Sequence, residues 1–145
     1  MIKMVSLSFF YPTDADRVWT VSSDYDALEK VTAGMVAFRG LPRRRMVQGD
    51  ALNVEVSMFG LLPWKPYRIE MIEVDNDART YLSEEHGAGV KTWTHRHRVT
   101  PTGAGCTLTD RIEIDAGRLT LVAALWARLM YQRRHPARLW LLGLS

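Results

Sequence analysis

VKTWTHRHRVTPTGAGCTLTDRIEID, residues 90–115, reads as two strands joined by a tight turn. Side chains alternate across a strand, so Trp93, His95, His97 and Val99 fall on one face, opposite Thr92, Thr94, Arg96 and Arg98. In the second strand Leu108, Asp110, Ile112 and Ile114 share a face, opposite Thr107, Thr109, Arg111 and Glu113. The apolar members mark the inner face, so two histidines and an aspartate are carried inward with them. Two registers keep that face intact. A four-residue loop over residues 101–104 sets Asp110 opposite His95, and a two-residue loop of Gly103 and Ala104 sets it opposite His97. Directly opposed side chains stand about 4.5–5.5 Å apart at Cβ, within hydrogen-bonding reach.

Several chemistries are open to that inward group. Asp110 can fix the tautomer of a histidine and raise its basicity, which suits proton transfer, so His95, His97 and Asp110 are the catalytic candidates. The same residues can instead satisfy one another inside the sheet, or anchor a helix through Arg133 or Arg134. A His-x-His pair with a carboxylate also has the donor types of a zinc or iron site, with Glu85 or His86 as the nearby further ligand. The expectation is no metal and no cofactor. Tyr81, Ser83 and Glu85 share the inner face of the preceding strand if residues 87–89 form a three-residue loop. Glu85 then needs a partner, a histidine or a helix arginine, unless it lies with Glu84 and His86 at the rim.

Working outward, residues 2–10 form a strand that ends at Tyr11 and Pro12. Thr13 and Asp16 have capping-box spacing for a short helix containing Val18, Trp19 and Val21. Ser23 or Asp24 caps a second over residues 25–32, which Gly34 stops. Residues 35–38 and 45–48 read as strand pieces, with a hairpin turn at Gly49 and Asp50. Residues 52–59, 64–74 and 80–85 read as further strands, with a turn over residues 75–77. After Gly117, the residues Leu119, Val122, Ala123, Trp126, Leu129, Met130 and Arg133 lie on one helical face, with Arg128, Gln132 and Arg138 elsewhere. Pro136 should kink or end this helix. The order is α+β: strand, two short helices, about six consecutive antiparallel strands, and a long C-terminal helix. A curved sheet of six to seven strands gripping one helix leaves space between them.

The chain of 145 residues suits one domain, residues 1–145, large enough for a core and a cavity. The lone Cys106 excludes an intramolecular disulfide and fits a reducing, cytoplasmic compartment. No apolar run is long enough to span a membrane, and MIKMVSLSFFYP lacks a secretory pattern. A net charge of +3 is spread out, its one tight run being Arg43, Arg44 and Arg45 in a loop, so nucleic acid is not expected.

This order, together with PTDADRVW (residues 12–19), Leu62-Pro63-Trp64, GAGVKTWTHRH (residues 87–97) and GCTLTD (residues 105–110), resembles the START-like helix-grip superfamily, also called SRPBCC. Within it the resemblance is to bacterial polyketide cyclase/dehydrase-like and lipid-transport-like proteins, and it covers essentially the whole chain. It implies a helix-grip fold and shifts Trp64, Trp93, Trp126, Met58, Met71 and Met130 from plain core toward cavity lining. The superfamily holds carriers, receptors, cyclases and hydrolases, so the resemblance does not choose a function.

Three readings follow. The first is a binder of a small, largely hydrophobic molecule, lipid-like or polyketide-like, in a cavity above about 300 Å³. Its site would draw on Tyr81, Glu85, Trp93, His95, His97, Asp110, Trp64, Trp126, Met130 and Arg133. The second is a cyclase- or dehydratase-type enzyme using an inward histidine held by Asp110. The third is a non-enzymatic module in which the C-terminal helix, or the tail with Trp140, Leu141 and Leu142, forms a homodimer or lipid-facing patch.

Overall fold

A proline has no N–H for a strand ladder, and the first strand stops where Pro12 begins. In the computed structural model, which describes residues 1–144, β1 (Lys3–Tyr11) leads into α1 (Ala15–Ser22) and α2 (Tyr25–Thr32). Then come β2 (Val36–Arg39), β3 (Ala51–Met58), β4 (Lys65–Asp75), β5 (Thr80–Gly87), β6 (Val90–Thr102) and β7 (Gly105–Asp115). A 3-10 turn, Gly117–Leu119, starts α3 (Thr120–Leu141). The strands form one antiparallel sheet, ordered β1-β7-β6-β5-β4-β3-β2, curved into a half-barrel. Helix α3 packs on β1, β7 and α2. This is the expected α+β helix-grip architecture.

The β6–β7 hairpin adopts the shorter of its two registers. Thr102 pairs with Gly105 around Gly103 and Ala104, which sets His97 opposite Asp110 and His95 opposite Ile112. Leu108, Ile112 and Ile114 are fully buried, so the inner face of β7 is the floor of the core. The β5–β6 connection differs from expectation. Its turn has two residues, Ala88 and Gly89, and a register shift between Glu85 and Gly87 still sets Glu85 opposite Trp93 and Ser83 opposite His95.

The helices depart from expectation where local chemistry was ambiguous. Asp14, not Thr13, precedes α1, and no side chain caps it. Asp24 caps α2, accepting from the amides of Asp26 and Ala27. Residues 45–48 are not a strand; only Arg45 forms a bridge, to Asp24. Their polar loop is held by Asp50, which accepts from Arg44, Tyr25 and the Val47 amide. Pro136 neither ends nor breaks α3, which runs on to Leu141. The carbonyl that loses its donor there belongs to Gln132, an exposed residue, where water can replace it.

The most buried row of α3 is offset from the apolar face read in the sequence. Its buried residues are Thr120, Ala124, Ala127, Met130, Tyr131, Arg134 and Arg138, whereas Leu121, Val122, Leu125 and Leu129 are exposed. Arg133 turns outward and Arg138 inward. Small residues at Ala124 and Ala127 let the helix backbone approach the sheet, and bulky side chains there would hold it off. The apolar face read from the sequence borders the cavity through Leu119, Val122, Ala123, Trp126 and Met130, while the small and polar row is the one packed tightly.

Backbone proximity makes Gly105 essential. A Cβ on Gly105 would stand 2.2 Å from the Tyr11 carbonyl oxygen, while one on Gly103 would meet nothing within 4 Å. Gly105→Ala should therefore lower stability in urea by about 1–3 kcal/mol or more. Gly103→Ala, two residues away in the same turn, should stay within about 0.5 kcal/mol of the parent. Equal effects at the two positions would contradict this packing.

Candidate functional site

Asp110 lies 2 % exposed on β7 between two buried imidazoles. Its Oδ1 is 2.6 Å from His95 Nε2 and 2.8 Å from His97 Nδ1. Burial pushes the Asp110 carboxyl up, but the charge and hydrogen bonds of His97 and His95 outweigh it and hold it well below the usual range. An ionised carboxylate only accepts, so both histidines donate to it. In the neutral His97 ring that leaves Nε2 as an acceptor. Ser22 Oγ donates to it at 2.9 Å, and Tyr131 Oη is hydrogen-bonded to His95 Nδ1 at 3.3 Å. Burial lowers the His97 imidazole and raises the Tyr131 phenol, so both stay neutral near pH 7.

The two histidines face different surroundings. His97 is enclosed by α1, through Ser22 and the Trp19 ring, and by Tyr81, which stacks on it at 4.6 Å. His95 points to the space between the sheet and α3. A cavity of about 330 Å³ lies there, lined mainly by apolar side chains such as Val36, Phe38, Met46, Ile69, Met71 and Trp126. Its polar groups converge on one region. Glu85 accepts from Tyr67 Oη at 2.9 Å and from Ser83 Oγ at 2.8 Å. His95, Tyr81, Tyr131 and Arg134 also line this cavity. Burial raises the phenols of Tyr67 and Tyr81 well above their ordinary value, so both remain protonated.

Of the residues singled out from sequence, Tyr81, Glu85, Trp93, His95, Trp126 and Met130 line the cavity, as do Met58 and Met71. His97 and Asp110 stand behind that lining, buried. Trp64 lies elsewhere, under the Arg39 guanidinium at 3.8 Å. Arg133 is exposed on the outer side of α3 because of the helix phase. Glu85 is satisfied by Tyr67 and Ser83, not by a histidine or arginine. The helix is tied to the histidines by Tyr131, and neither Arg133 nor Arg134 pairs with Asp110.

Tyr67 and Tyr131 escaped the sequence reading, which took Arg134 only as a candidate helix anchor for the histidine–aspartate group. A signal for Tyr131 and Arg134 existed: residues 120, 124, 127, 131, 134 and 138 repeat at three- and four-residue spacing. That row is small and polar, so an apolar criterion passes over it. Arg138 belongs to the same row; its Nη1 donates to Tyr11 Oη at 3.2 Å.

The donor atoms of His95, His97 and Asp110 lie within 4.8 Å of one another. Tetrahedral zinc with ligands at 2.0–2.2 Å needs donors roughly 3.3 Å apart. The N–O separations of 2.6 and 2.8 Å are hydrogen bonds instead. Glu85 is turned to its own partners and His86 is exposed, so neither completes a metal shell.

A pH dependence follows. The folded pKa of His97 lies below its unfolded value of about 6.5, so its contribution is present above that pH and lost as pH falls. Asp110, also lowered, loses its contribution further into acid. Urea unfolding should therefore show stability falling from pH 7 toward pH 5. Asp110→Ala leaves two buried ring N–H groups without an acceptor and should cost about 3–5 kcal/mol at pH 7. A flat pH profile with an innocuous Asp110→Ala would contradict the arrangement.

Comparison with known structures places this geometry on a shared frame. Protein CV1439 from Chromobacterium violaceum superposes with a TM-score of 0.76 at 16% identity, covering 96% of each chain. The Zhui aromatase/cyclase from Streptomyces sp. R1128 gives 0.67 at 17% identity, over 99% of this chain and 93% of that one. A START superfamily protein from Mycobacterium smegmatis gives 0.67 at 12% identity, over 92% of each. At such identities the likeness is one of fold, the SRPBCC helix-grip fold. No curated protein sequence matches this one. The match of residues 12–140 to the family described as "Domain of unknown function (DUF8410)" decides membership: the chain belongs to that family.

Proposed function

We propose that the protein binds a small, largely hydrophobic molecule between the sheet and α3. The observation that carries this is the cavity of about 330 Å³, apolar over most of its wall with polar groups gathered at Glu85, His95, Tyr131 and Arg134. Small-molecule sites commonly have this form, an apolar body with a few placed polar groups. The helix-grip neighbours supply a fold in keeping with it. Cys106, free and fully buried, is in keeping with a reducing, cytoplasmic setting.

A cyclase- or dehydratase-type enzyme has one observation in its favour: His95 reaches the cavity wall with Tyr131 on its Nδ1. Against it, all four ring nitrogens of His95 and His97 are engaged by protein groups, which leaves no free base facing a substrate. For an interaction module, the tail offers little, since Leu142 is buried and Trp140 alone of Trp140, Leu141 and Leu142 is exposed. The outward leucines of α3 are the better support for self-association, which is compatible with cavity binding.

The binding reading is tested by titrating a neutral, apolar fluorescent probe, N-phenyl-1-naphthylamine, into the full chain. Saturable one-site binding is expected. Ala123 lines the cavity and is only half-buried, so Ala123→Phe can fill the space without unfolding the protein. It should weaken the probe at least about tenfold, the scale of losing one well-packed apolar contact. No saturable binding, or equal affinity in the filled variant, would sink the proposal.

A further inference from the structure

Arg134 stands out among the cavity-lining residues because it is a buried cation with no acceptor. It is only 7 % exposed, and its Nε is buried without a hydrogen-bond partner. Among the described residues no ion pair or hydrogen bond includes its guanidinium; its close neighbour is the Tyr131 ring, 4.2 Å from Cζ. The two carboxylates whose charge it feels, Asp110 and Glu85, are already occupied. Asp110 accepts from both histidines, and Glu85 from Tyr67 and Ser83. A desolvated guanidinium is costly unless something accepts its hydrogen bonds. The space it borders is the cavity.

We propose that Arg134 receives the carboxylate of the bound molecule, so that the ligand is an apolar monocarboxylic acid. This deepens the binding reading above and rests on it. A planar guanidinium matches a carboxylate in two parallel hydrogen bonds, and the pair is strong where water is excluded. The charge count favours a monoanion. Arg134 is the one arginine or lysine lining the cavity, both ring nitrogens of His95 are taken by Asp110 and Tyr131, and Glu85 would repel a second negative charge. A phosphate dianion would lack cations. The rest of the ligand, chain or ring, then lies along Val36, Phe38, Ile69 and Met71, with its acid end toward α3.

The test compares three ligands of one chain length, octanoate, 1-octanol and octylammonium, by displacement of the neutral probe at pH 7. The wild-type protein should bind octanoate about 10- to 100-fold tighter than 1-octanol, as for a charge-assisted hydrogen bond, with octylammonium the weakest. Arg134→Met keeps the side-chain length but removes the charge. It should abolish the preference while leaving 1-octanol within about threefold of wild type, since the apolar contacts stay. Equal wild-type affinity for acid and alcohol would overturn the proposal and leave cavity binding intact. So would tightest binding of octylammonium, which would make Glu85 the anchor, or a preference that survives Arg134→Met. Failure of every ligand and of the probe would remove the cavity reading and this one together. If Arg134→Met does not fold by circular dichroism, the wild-type ratio decides, with Arg134→Lys expected to retain part of the preference.

Discussion

One carboxylate oxygen, Asp110 Oδ1, accepts from both His95 and His97, and the interior is arranged around that shared acceptor. Through His97 it fastens α1, whose Ser22 donates to the far ring nitrogen. Through His95 it fastens α3, by way of Tyr131. Three separate segments thus meet at one ionised group with no solvent beside it. Buried polar groups tolerate such a position only when each donor and acceptor is matched, and here each ring has a partner at both nitrogens. The residues that first suggest chemistry are the ones that hold the helices on the sheet.

That division of labour separates structure from site. Behind the cavity wall, Asp110 and His97 form a closed network. In front of it, Glu85 with Tyr67 and Ser83 forms a second closed group. Arg134 is left between them as a cavity-lining guanidinium without an acceptor, and its position against an apolar space makes that lack informative. The contrast carries more than the presence of histidines does. A satisfied histidine explains itself, whereas an unsatisfied guanidinium asks what completes it.

The strands were legible because a period of two is hard to mistake once Gly103, Gly49 and the acidic turn at residues 75–77 punctuate it. From that alternation the inward placement of His95, His97 and Asp110 followed directly, and turn length left two registers, of which the chain uses the tighter. The face of α3 was not legible by the same logic. Of the face expected inward, Leu119, Val122 and Leu129 are largely exposed, while Ala124, Ala127, Tyr131 and Arg134 are buried. Which side of an amphipathic helix goes inward depends on how closely it must approach its partner, and hydrophobicity alone does not encode that distance. Arg133 was misplaced for this reason. Trp64 was misplaced because an aromatic beside a proline can as well stack under a surface arginine, here Arg39, as line a cavity.

The central claim is that the space between sheet and helix holds a small apolar molecule. Native mass spectrometry of protein purified without organic additives tests it most directly. The account predicts a one-to-one adduct that is lost on denaturation and identified in the extract as an apolar small molecule. A spectrum showing only the bare chain, which also takes up no apolar ligand when one is supplied, would contradict it.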